Sequence, residues 1–306
     1  MRRLSVVAFA VVACAALVQA ADRSTITFAD GRIFPESLTS TKNGDVYFGS
    51  VGQSAVYRAA KGSSVATAWI KPQSNGLNQV LGVFADEKAG VLWVCSSATG
   101  GRNGQPVVGE TALKAFSLKD ASLKGSYPFP GGAGFCNDIA VAKDGTIYAA
   151  DTTQNRIVRL KKGATMTDVW IQDAQQLAGA DGIVLLDDGN VYVNSVTQST
   201  LMRVPVKADG SAGAIEKLKV SQPIMGPDGM RSVGKKTILL VEGGKLDEVT
   251  INGDTAQIKT LKDNMPGITA VTLVGNTAYL SEARLNARNQ QGDPGPFRAL
   301  SVEYKH

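Results

Sequence analysis

Short apolar segments alternate with polar, glycine-containing turns along almost the whole chain, and no helical period persists. The recurring unit is a polar turn followed by a short strand pattern with an aromatic residue or leucine near its middle. The clearest copies lie at residues 42–48, 143–148 and 187–192, and weaker ones at 88–93, 234–239 and 274–279. Asn-Gly and Asp-Gly turns between alternating apolar segments are the strongest short-range signal for β-hairpins. The pattern therefore predicts an all-β chain.

The spacing of these units predicts how they assemble. The central strand residues follow one another at steps of 46, 55, 44, 47 and 40 residues, and they are Tyr47, Trp93, Tyr148, Tyr192, Leu239 and Tyr279. A period of about 40–50 residues with several strands per unit is typical of β-propeller blades. Six copies fill the chain, so we predict one six-bladed β-propeller domain over residues 21–306. The last unit has only three strands, and we expect the N-terminal strand at 25–28 to complete blade six and close the ring.

The first twenty residues have the pattern of a cleaved secretory signal peptide. Arg2 and Arg3 precede an apolar run at residues 6–18, and a small-x-small pattern ends at Ala20. The run is shorter than the roughly 20 residues of a typical membrane span, so no transmembrane segment is expected. A periplasmic or secreted protein follows, with a lipoprotein anchored through Cys14 as the alternative.

Charge and histidine content exclude several classes of function. The chain of 306 residues has 32 Lys and Arg against 27 Asp and Glu, a net charge of +5 that falls to +3 when the two N-terminal arginines are removed. No basic block concentrates this charge, so nucleic acid is not an expected partner. The single histidine is His306, the last residue, which argues against a Ser-His-Asp triad, a Cys-His pair or a histidine-rich zinc site.

Two cysteines remain after cleavage, Cys95 and Cys136. In an oxidising compartment they can form a disulfide, and as two small buried thiols they can equally remain reduced. The sequence leaves both alternatives open.

Oxygen-bearing side chains recur eleven residues before the central strand residue, at the start of the predicted innermost strands. Propeller geometry brings these six strand starts together at one mouth of the channel. The positions are Glu36, Leu81 or Gly82, Asn137, Asp181, Asp228 and Ile268. Four of the six carry a side-chain oxygen. Four further polar residues follow the second strands and are candidates for an outer polar shell, namely Asp151, Asn194, Glu242 and Glu282.

Three carboxylates that converge on one axis repel one another unless a cation lies among them. An all-oxygen donor set suits a hard divalent ion, so we expect Ca²⁺, with Mg²⁺, Mn²⁺ and Zn²⁺ as the other divalent candidates. The alternative is that each acidic residue only caps a turn at its own blade.

Three short motifs resemble the SMP-30/gluconolactonase/LRE-like family. They are Phe34-Pro35-Glu36, Cys136-Asn137-Asp138-Ile139 and Gly226-Pro227-Asp228-Gly229-Met230. The resemblance implies a six-bladed propeller with a divalent ion held by Glu, Asn and Asp from blades one, four and five. It makes Glu36 and Asp228 metal ligands, places Asp181 where the family usually has an Asn ligand, and makes Asn137 the substrate-side residue.

The resemblance further implies hydrolysis of a lactone or related ester, with a small molecule as partner. The ion would polarise the carbonyl, Asp228 or Asp181 would act as the base, and Asn137 would bind the substrate. Arg102 is the candidate substrate-side cation. Arg231 and Arg284 are further candidates for this role, and a surface position is expected for each of the three arginines. The alternative is a non-catalytic, exported propeller, expected to be monomeric like the enzyme, that binds a peptide, glycan or protein.

Overall fold

The computed structural model describes residues 24–100 and 106–305, which form 25 strands and two short 3₁₀ helices, Ser74–Gly76 and Leu285–Ala287. The predicted signal peptide, with Cys14, and also Arg102 and His306 lie outside the described residues. Within the described part of the chain, no helix has the length and apolar character needed to cross a bilayer.

The strands form six antiparallel blades in which consecutive strands lie side by side from the channel outward. The first strand of the chain, β1 (Thr25–Phe28), precedes the blades. Blades one to three contain β2 (Pro35–Ser40), β3 (Val46–Ser50), β4 (Ala55–Ala59) and β5 (Val65–Ile70); β6 (Gln79–Asp86), β7 (Val91–Ser97), β8 (Ala112–Ser117) and β9 (Leu123–Pro128); and β10 (Cys136–Val141), β11 (Ile147–Asp151), β12 (Arg156–Leu160) and β13 (Asp168–Gln172).

Blades four to six follow the same order. They contain β14 (Ala180–Leu185), β15 (Val191–Ser195), β16 (Thr200–Val204) and β17 (Glu216–Lys217); β19 (Pro227–Ser232), β20 (Thr237–Glu242), β21 (Lys245–Asn252) and β22 (Thr255–Lys262), with β18 (Lys219–Val220) at the outer edge; and β23 (Ile268–Val274), β24 (Thr277–Glu282) and β25 (Arg298–Glu303).

The N-terminal strand closes the ring, as the repeat count predicts. Strand β1 pairs antiparallel with β25 of blade six, with Ile26 opposite Ala299. It also pairs in parallel with β5 of blade one, with Thr27 opposite Val65. Blades six and one are therefore joined into one eight-stranded sheet. Strand β18 makes a similar parallel contact with β22 at the edge of blade five.

One apolar cluster fills each of the six interfaces between neighbouring blades. The recurrent central strand residue of each blade lies in the cluster that the blade shares with the next one. These six side chains are 8% exposed or less, and they are Tyr47, Trp93, Tyr148, Tyr192, Leu239 and Tyr279. Each of these large side chains is buried between its own blade and the next one. The sequence repeats such a residue once per blade because every interface between blades needs one.

A disulfide between Cys95 on β7 and Cys136 on β10 joins blades two and three. Their Cα atoms are 5.2 Å apart. Of the two alternatives that the sequence leaves open, the structure has the paired cysteines.

Candidate metal centre at the channel mouth

A β-bulge lies near the start of every innermost strand, at the same register in all six blades. A bulge inserts an extra residue and re-aims its side chain away from the regular alternation. The central strand residue of each blade pairs with one residue of the inner strand. A bulge residue lies three positions before that partner in every blade. The six bulge residues are Glu36, Leu81, Asn137, Asp181, Asp228 and Thr269. In blade six the predicted residue, Ile268, is wrong by one position. The hairpin there is one residue shorter, since Thr272 pairs with Tyr279.

The carboxylates of Glu36, Asp181 and Asp228 come together although they belong to blades one, four and five. Each offers an oxygen, and these three oxygens all lie within 4.8 Å of one another. Glu36 is 5% exposed and Asp181 is 7% exposed, whereas Asp228 is half-buried. The three acids, called the acid triad below, thus occupy one shared point at the channel mouth and do not each cap a separate turn.

Asn137 holds one side of the acid triad. Its Nδ2 donates to Asp181 Oδ2 at 2.9 Å and to Thr152 Oγ1 at 3.1 Å. Thr152 Oγ1 in turn donates to the carbonyl of Ala180 at 2.6 Å. Both amide hydrogens of Asn137 are therefore used inside the protein, where they orient Asp181. A direct contact between Asn137 and a substrate stays a prediction.

Asn194 lies between the two strands that carry Asp181 and Asp228. Its Oδ1 accepts from the Gly182 amide at 3.2 Å, and its Nδ2 donates to the Asp228 carbonyl at 2.6 Å. A Cβ on Gly182 would lie 2.3 Å from that same carbonyl oxygen, so only glycine permits this close approach. The Asp-Gly sequence of blade four therefore serves the geometry of the site. The sequence predicts Asn194 only as part of an outer polar shell.

The polar residues at the ends of the second strands fix the segments that lead into the inner strands. Opposite the first residue or second residue of each inner strand lie Ser50, Ser96, Asp151, Ser195, Glu242 and Glu282. Asp151 Oδ1 accepts from the Phe135 amide at 2.8 Å, and Glu242 accepts from the Met225 amide. Glu282 instead binds Arg284 and Arg298 at the edge of blade six. Their contacts are structural.

A buried ion pair between Arg231 and Asp138 lies next to the acid triad. Arg231 Nη1 is 2.9 Å from Asp138 Oδ2, and Nη2 donates to the carbonyls of Leu38 and Val83, each at 3.1 Å. The expectation of a surface position for Arg231 is wrong, because its side chain points into the channel and is only 8% exposed. A sequence signal existed, since the equivalent residues of the other blades are Thr39, Phe84, Ala140, Val184 and Thr272.

Burial and mutual repulsion disfavour negative charge on the acid triad. Burial raises the pKa of Glu36 well above its usual range, and the charges of Asp181 and Asp138 raise it further, while Arg231 opposes them. Burial also raises the pKa of Asp228, with the charges of Asp181 and Glu36 acting in the same direction. For Asp181, burial followed by the charge of Asp138 raises the pKa to about 7, against the hydrogen bond from Asn137.

Two oxygens of the acid triad are buried without a hydrogen-bond partner among the described residues, Glu36 Oε2 and Asp181 Oδ1. A buried carboxylate oxygen without a partner is costly, and a cation between the three acids would satisfy both atoms. Three carboxylates without nitrogen or sulfur donors form the ligand type that Ca²⁺ and Mg²⁺ prefer. The residues present therefore fit a hard divalent ion.

A cavity of about 570 Å³ opens on the face of the propeller where the inner strands begin, the same face as the acid triad. Phe135 lines it and lies two residues before Asn137, and Thr153, which follows Thr152, forms another part of the wall. Gln79 and Arg288 lie on the side of blades two and six. Arg102, the predicted substrate-side cation, lies outside the described residues, and Arg288 is not among the site residues predicted from the sequence.

No protein-family model matches this chain, and no curated protein matches it significantly. Solved structures do match it over nearly the full length. A regucalcin from Agrobacterium tumefaciens, described as calcium-binding, aligns with 92% of this chain and 97% of its own at 15% identity and a TM-score of 0.61. A candidate gluconolactonase aligns with 92% of this chain and 94% of its own at 16% identity and a TM-score of 0.62.

The virginiamycin B lyase from Staphylococcus aureus has a similar structure. It aligns with 91% of this chain and 98% of its own at 12% identity and a TM-score of 0.57. At these identities the similarities establish the six-bladed propeller fold. Structures with the fold carry out different functions, so function has to be argued from the site.

Proposed function

We propose that this protein is an exported, metal-dependent hydrolase that opens a lactone or a related ester at the channel mouth. The observation that carries the proposal is the acid triad. Three carboxylates from separate blades meet within 4.8 Å of one another, and two of their oxygens are buried without partners. A module that only binds a protein or a glycan has no need for such a buried concentration of like charge.

The ion would be held by Glu36, Asp181 and Asp228, and Ca²⁺ is the ion that we favour for this all-oxygen set. When bound, a divalent ion supplies Lewis acidity that polarises an ester carbonyl. The calcium-binding regucalcin and the candidate gluconolactonase, which have the same fold, support this choice of ion and reaction without deciding it.

Asp228 is the residue that we assign as the general base. It is the most exposed member of the acid triad, whereas Asp181 is fixed by Asn137. Asp228 takes a proton from water while the water oxygen bonds to the carbonyl carbon. The ring C–O bond then breaks, the leaving oxygen takes the proton, and a hydroxy acid is released. General base catalysis of this kind contributes roughly 10²–10⁴-fold to a rate.

Two further observations support the proposal. The disulfide between Cys95 and Cys136 suits the oxidising compartment that an N-terminal signal peptide implies. A histidine-to-alanine variant of the virginiamycin B lyase is described as catalytically inactive, and this chain has only His306 at its end. The hydrolase proposal, which needs no histidine, therefore fits the chain better than lyase chemistry.

The test combines metal analysis with a ring-opening assay. We expect purified protein to bind one Ca²⁺ per chain and to open γ-butyrolactone, followed as acid release in a pH-stat. Glu36→Gln and Asp228→Asn should each weaken Ca²⁺ binding by more than the roughly 10–100-fold that outer-shell partners of a metal contribute. The matched control is Glu303→Gln, which removes an exposed carboxylate at the outer end of β25. A folded protein that binds no divalent ion and opens no lactone would leave a binding module as the alternative.

A further inference from the structure

Arg288 is an uncompensated cation in the wall of the cavity that opens on the same face as the acid triad. It follows the short helix Leu285–Ala287 in the loop between β24 and β25, and its side chain is half-buried. Its Nη1 donates to the neutral Gln79 Oε1 at 3.1 Å. Among the described residues no carboxylate lies within ion-pair distance of it, whereas Arg284 in the same loop pairs with Glu282 at 2.8 Å.

The position of Arg288 is fixed by the protein before any ligand arrives. Arg32 Nη2 donates to the Arg288 carbonyl at 2.8 Å, which ties this loop to the segment that leads into blade one. The hydrogen bond to Gln79 fixes the guanidinium against blade two. Burial lowers the pKa of Arg288 without a neighbouring carboxylate to oppose it. Because arginine stays protonated in proteins, the cavity wall carries a full positive charge.

Among the described residues, the other polar side chains of the cavity wall are neutral. Gln79, Thr153 and Gln154 offer amide and hydroxyl groups, and Phe135 offers an apolar ring. One guanidinium among neutral groups matches a singly charged, planar carboxylate, with which arginine forms two parallel hydrogen bonds. A dianionic phosphate would find only one counter-charge among the described residues of the cavity wall, and the negative acid triad on the same face would repel it.

We propose that the natural substrate is an acidic lactone or ester, and that Arg288 binds its carboxylate in the cavity while the ester carbonyl faces the acid triad. This inference rests on the proposed function and adds the substrate class to it. Arg288 then acts as a specificity residue, since it binds a part of the substrate that does not react. Its contribution falls mainly on KM, because it binds the ground state and the transition state alike.

The first experiment compares two lactones that differ only in charge, 5-oxotetrahydrofuran-2-carboxylate and its carboxamide, with Ca²⁺-loaded protein. We expect kcat/KM to be about 10–100-fold higher for the carboxylate, as charge-assisted hydrogen bonds imply. Arg288→Met should raise KM for the carboxylate by about the same factor, leave its kcat nearly unchanged, and leave the carboxamide unaffected. Arg288→Lys should restore part of the preference. The control Lys143→Met removes one positive charge from the turn between β10 and β11, at the opposite end of blade three.

The second experiment separates this inference from the proposed hydrolysis. The ketone 3-oxocyclopentanecarboxylate has no ester bond to break, and its binding to the Ca²⁺-loaded protein is measured by calorimetry against its carboxamide. Tighter binding of the carboxylate that Arg288→Met abolishes supports the inference even if no lactone is opened. The inference fails if the lactone carboxylate and the lactone carboxamide are opened at equal rates and Arg288→Met changes the KM of neither substrate. The hydrolase proposal would still stand in that case. Tighter binding of inorganic phosphate than of the carboxylate would also overturn it.

Discussion

The acid triad makes a specific prediction for the metal-free protein, which should lose stability as the pH rises from about 4 to about 8. Asp181 has an ordinary pKa of 3.8 and a pKa of about 7 in the folded protein. Between these values the unfolded chain has released a proton that the folded chain retains, so the free energy of unfolding falls with pH. This difference of about three between the two pKa values of Asp181 corresponds to about 4 kcal/mol in the free energy of unfolding. Glu36 and Asp228, whose pKa values are raised by the same causes, change stability in the same direction.

Calcium should reverse this dependence. Carboxylate ligands have to be deprotonated before they bind a metal, so the stabilisation by the ion grows as the pH rises. At a free ion concentration about a thousand times the Kd, binding adds about 4 kcal/mol to the free energy of unfolding. The two effects are of similar size. The loaded protein should therefore keep most of its stability at neutral pH, where the metal-free protein has lost it.

The assay is urea unfolding with the disulfide intact, in EDTA or in Ca²⁺, at several pH values between about 4.5 and about 8. In Asp181→Asn the fall of stability with pH should become shallower. In Asp228→Asn, which removes a carboxylate ligand, most of the stabilisation by Ca²⁺ should disappear. Asp263→Asn, which removes an exposed carboxyl, is the matched control and should behave as wild type. The reasoning is refuted if the metal-free protein is equally stable, or more stable, at pH 7 than at pH 5. It is also refuted if Ca²⁺ stabilises the protein equally at both pH values.

Three further predictions concern the frame around the site. Arg231→Met should lower the free energy of unfolding by about 3–5 kcal/mol because it leaves Asp138 buried without its partner, and adding Asp138→Asn should recover part of this loss in urea unfolding; a loss below about 1 kcal/mol would contradict it. Replacing Cys95 and Cys136 by serine should cost about 4 kcal/mol for a disulfide that spans 41 residues, and denaturant midpoints that match wild type would count against this. Deleting β1 should lower the Tm of the whole ring, because blades six and one lose the strand they share; a truncated protein that melts like its parent would disprove the closure.

The repeat of one central aromatic residue or leucine per blade made most of the fold predictable. In every blade the central residue lies opposite a residue of the inner strand, and the bulge lies three positions earlier. Tyr47 pairs with Thr39 and thereby locates Glu36, and Tyr192 pairs with Val184 and thereby locates Asp181. Counting along the chain reaches the acid triad because hairpin register is fixed by local hydrogen bonds and turn length.

The same counting failed where turn length changed and where a contact depends on distant residues. One residue fewer in the hairpin of blade six moved the bulge from Ile268 to Thr269. Arg231 is separated by 93 residues from Asp138, and although the repeat marks its position as unusual, the repeat does not show which distant residue it pairs with. Arg288 sits in an irregular loop, where no period predicts the direction of a side chain. These positions depend on how the blades are arranged around the axis, which single-sequence periodicity does not describe.

The charge balance of the channel connects the metal site to the substrate. Four carboxylates act on one another there, those of the acid triad and Asp138, and Arg231 is the cation among them. Their formal charge is −3 when all are ionised, and a bound divalent ion leaves −1. A region that stays negative repels the carboxylate of a substrate, so such a group needs its own counter-charge away from the acid triad. In our proposal, Arg288 in the cavity wall provides this counter-charge. In our proposal, this arrangement would orient an acidic lactone with its charged end toward blade six and its ester carbonyl toward the acid triad.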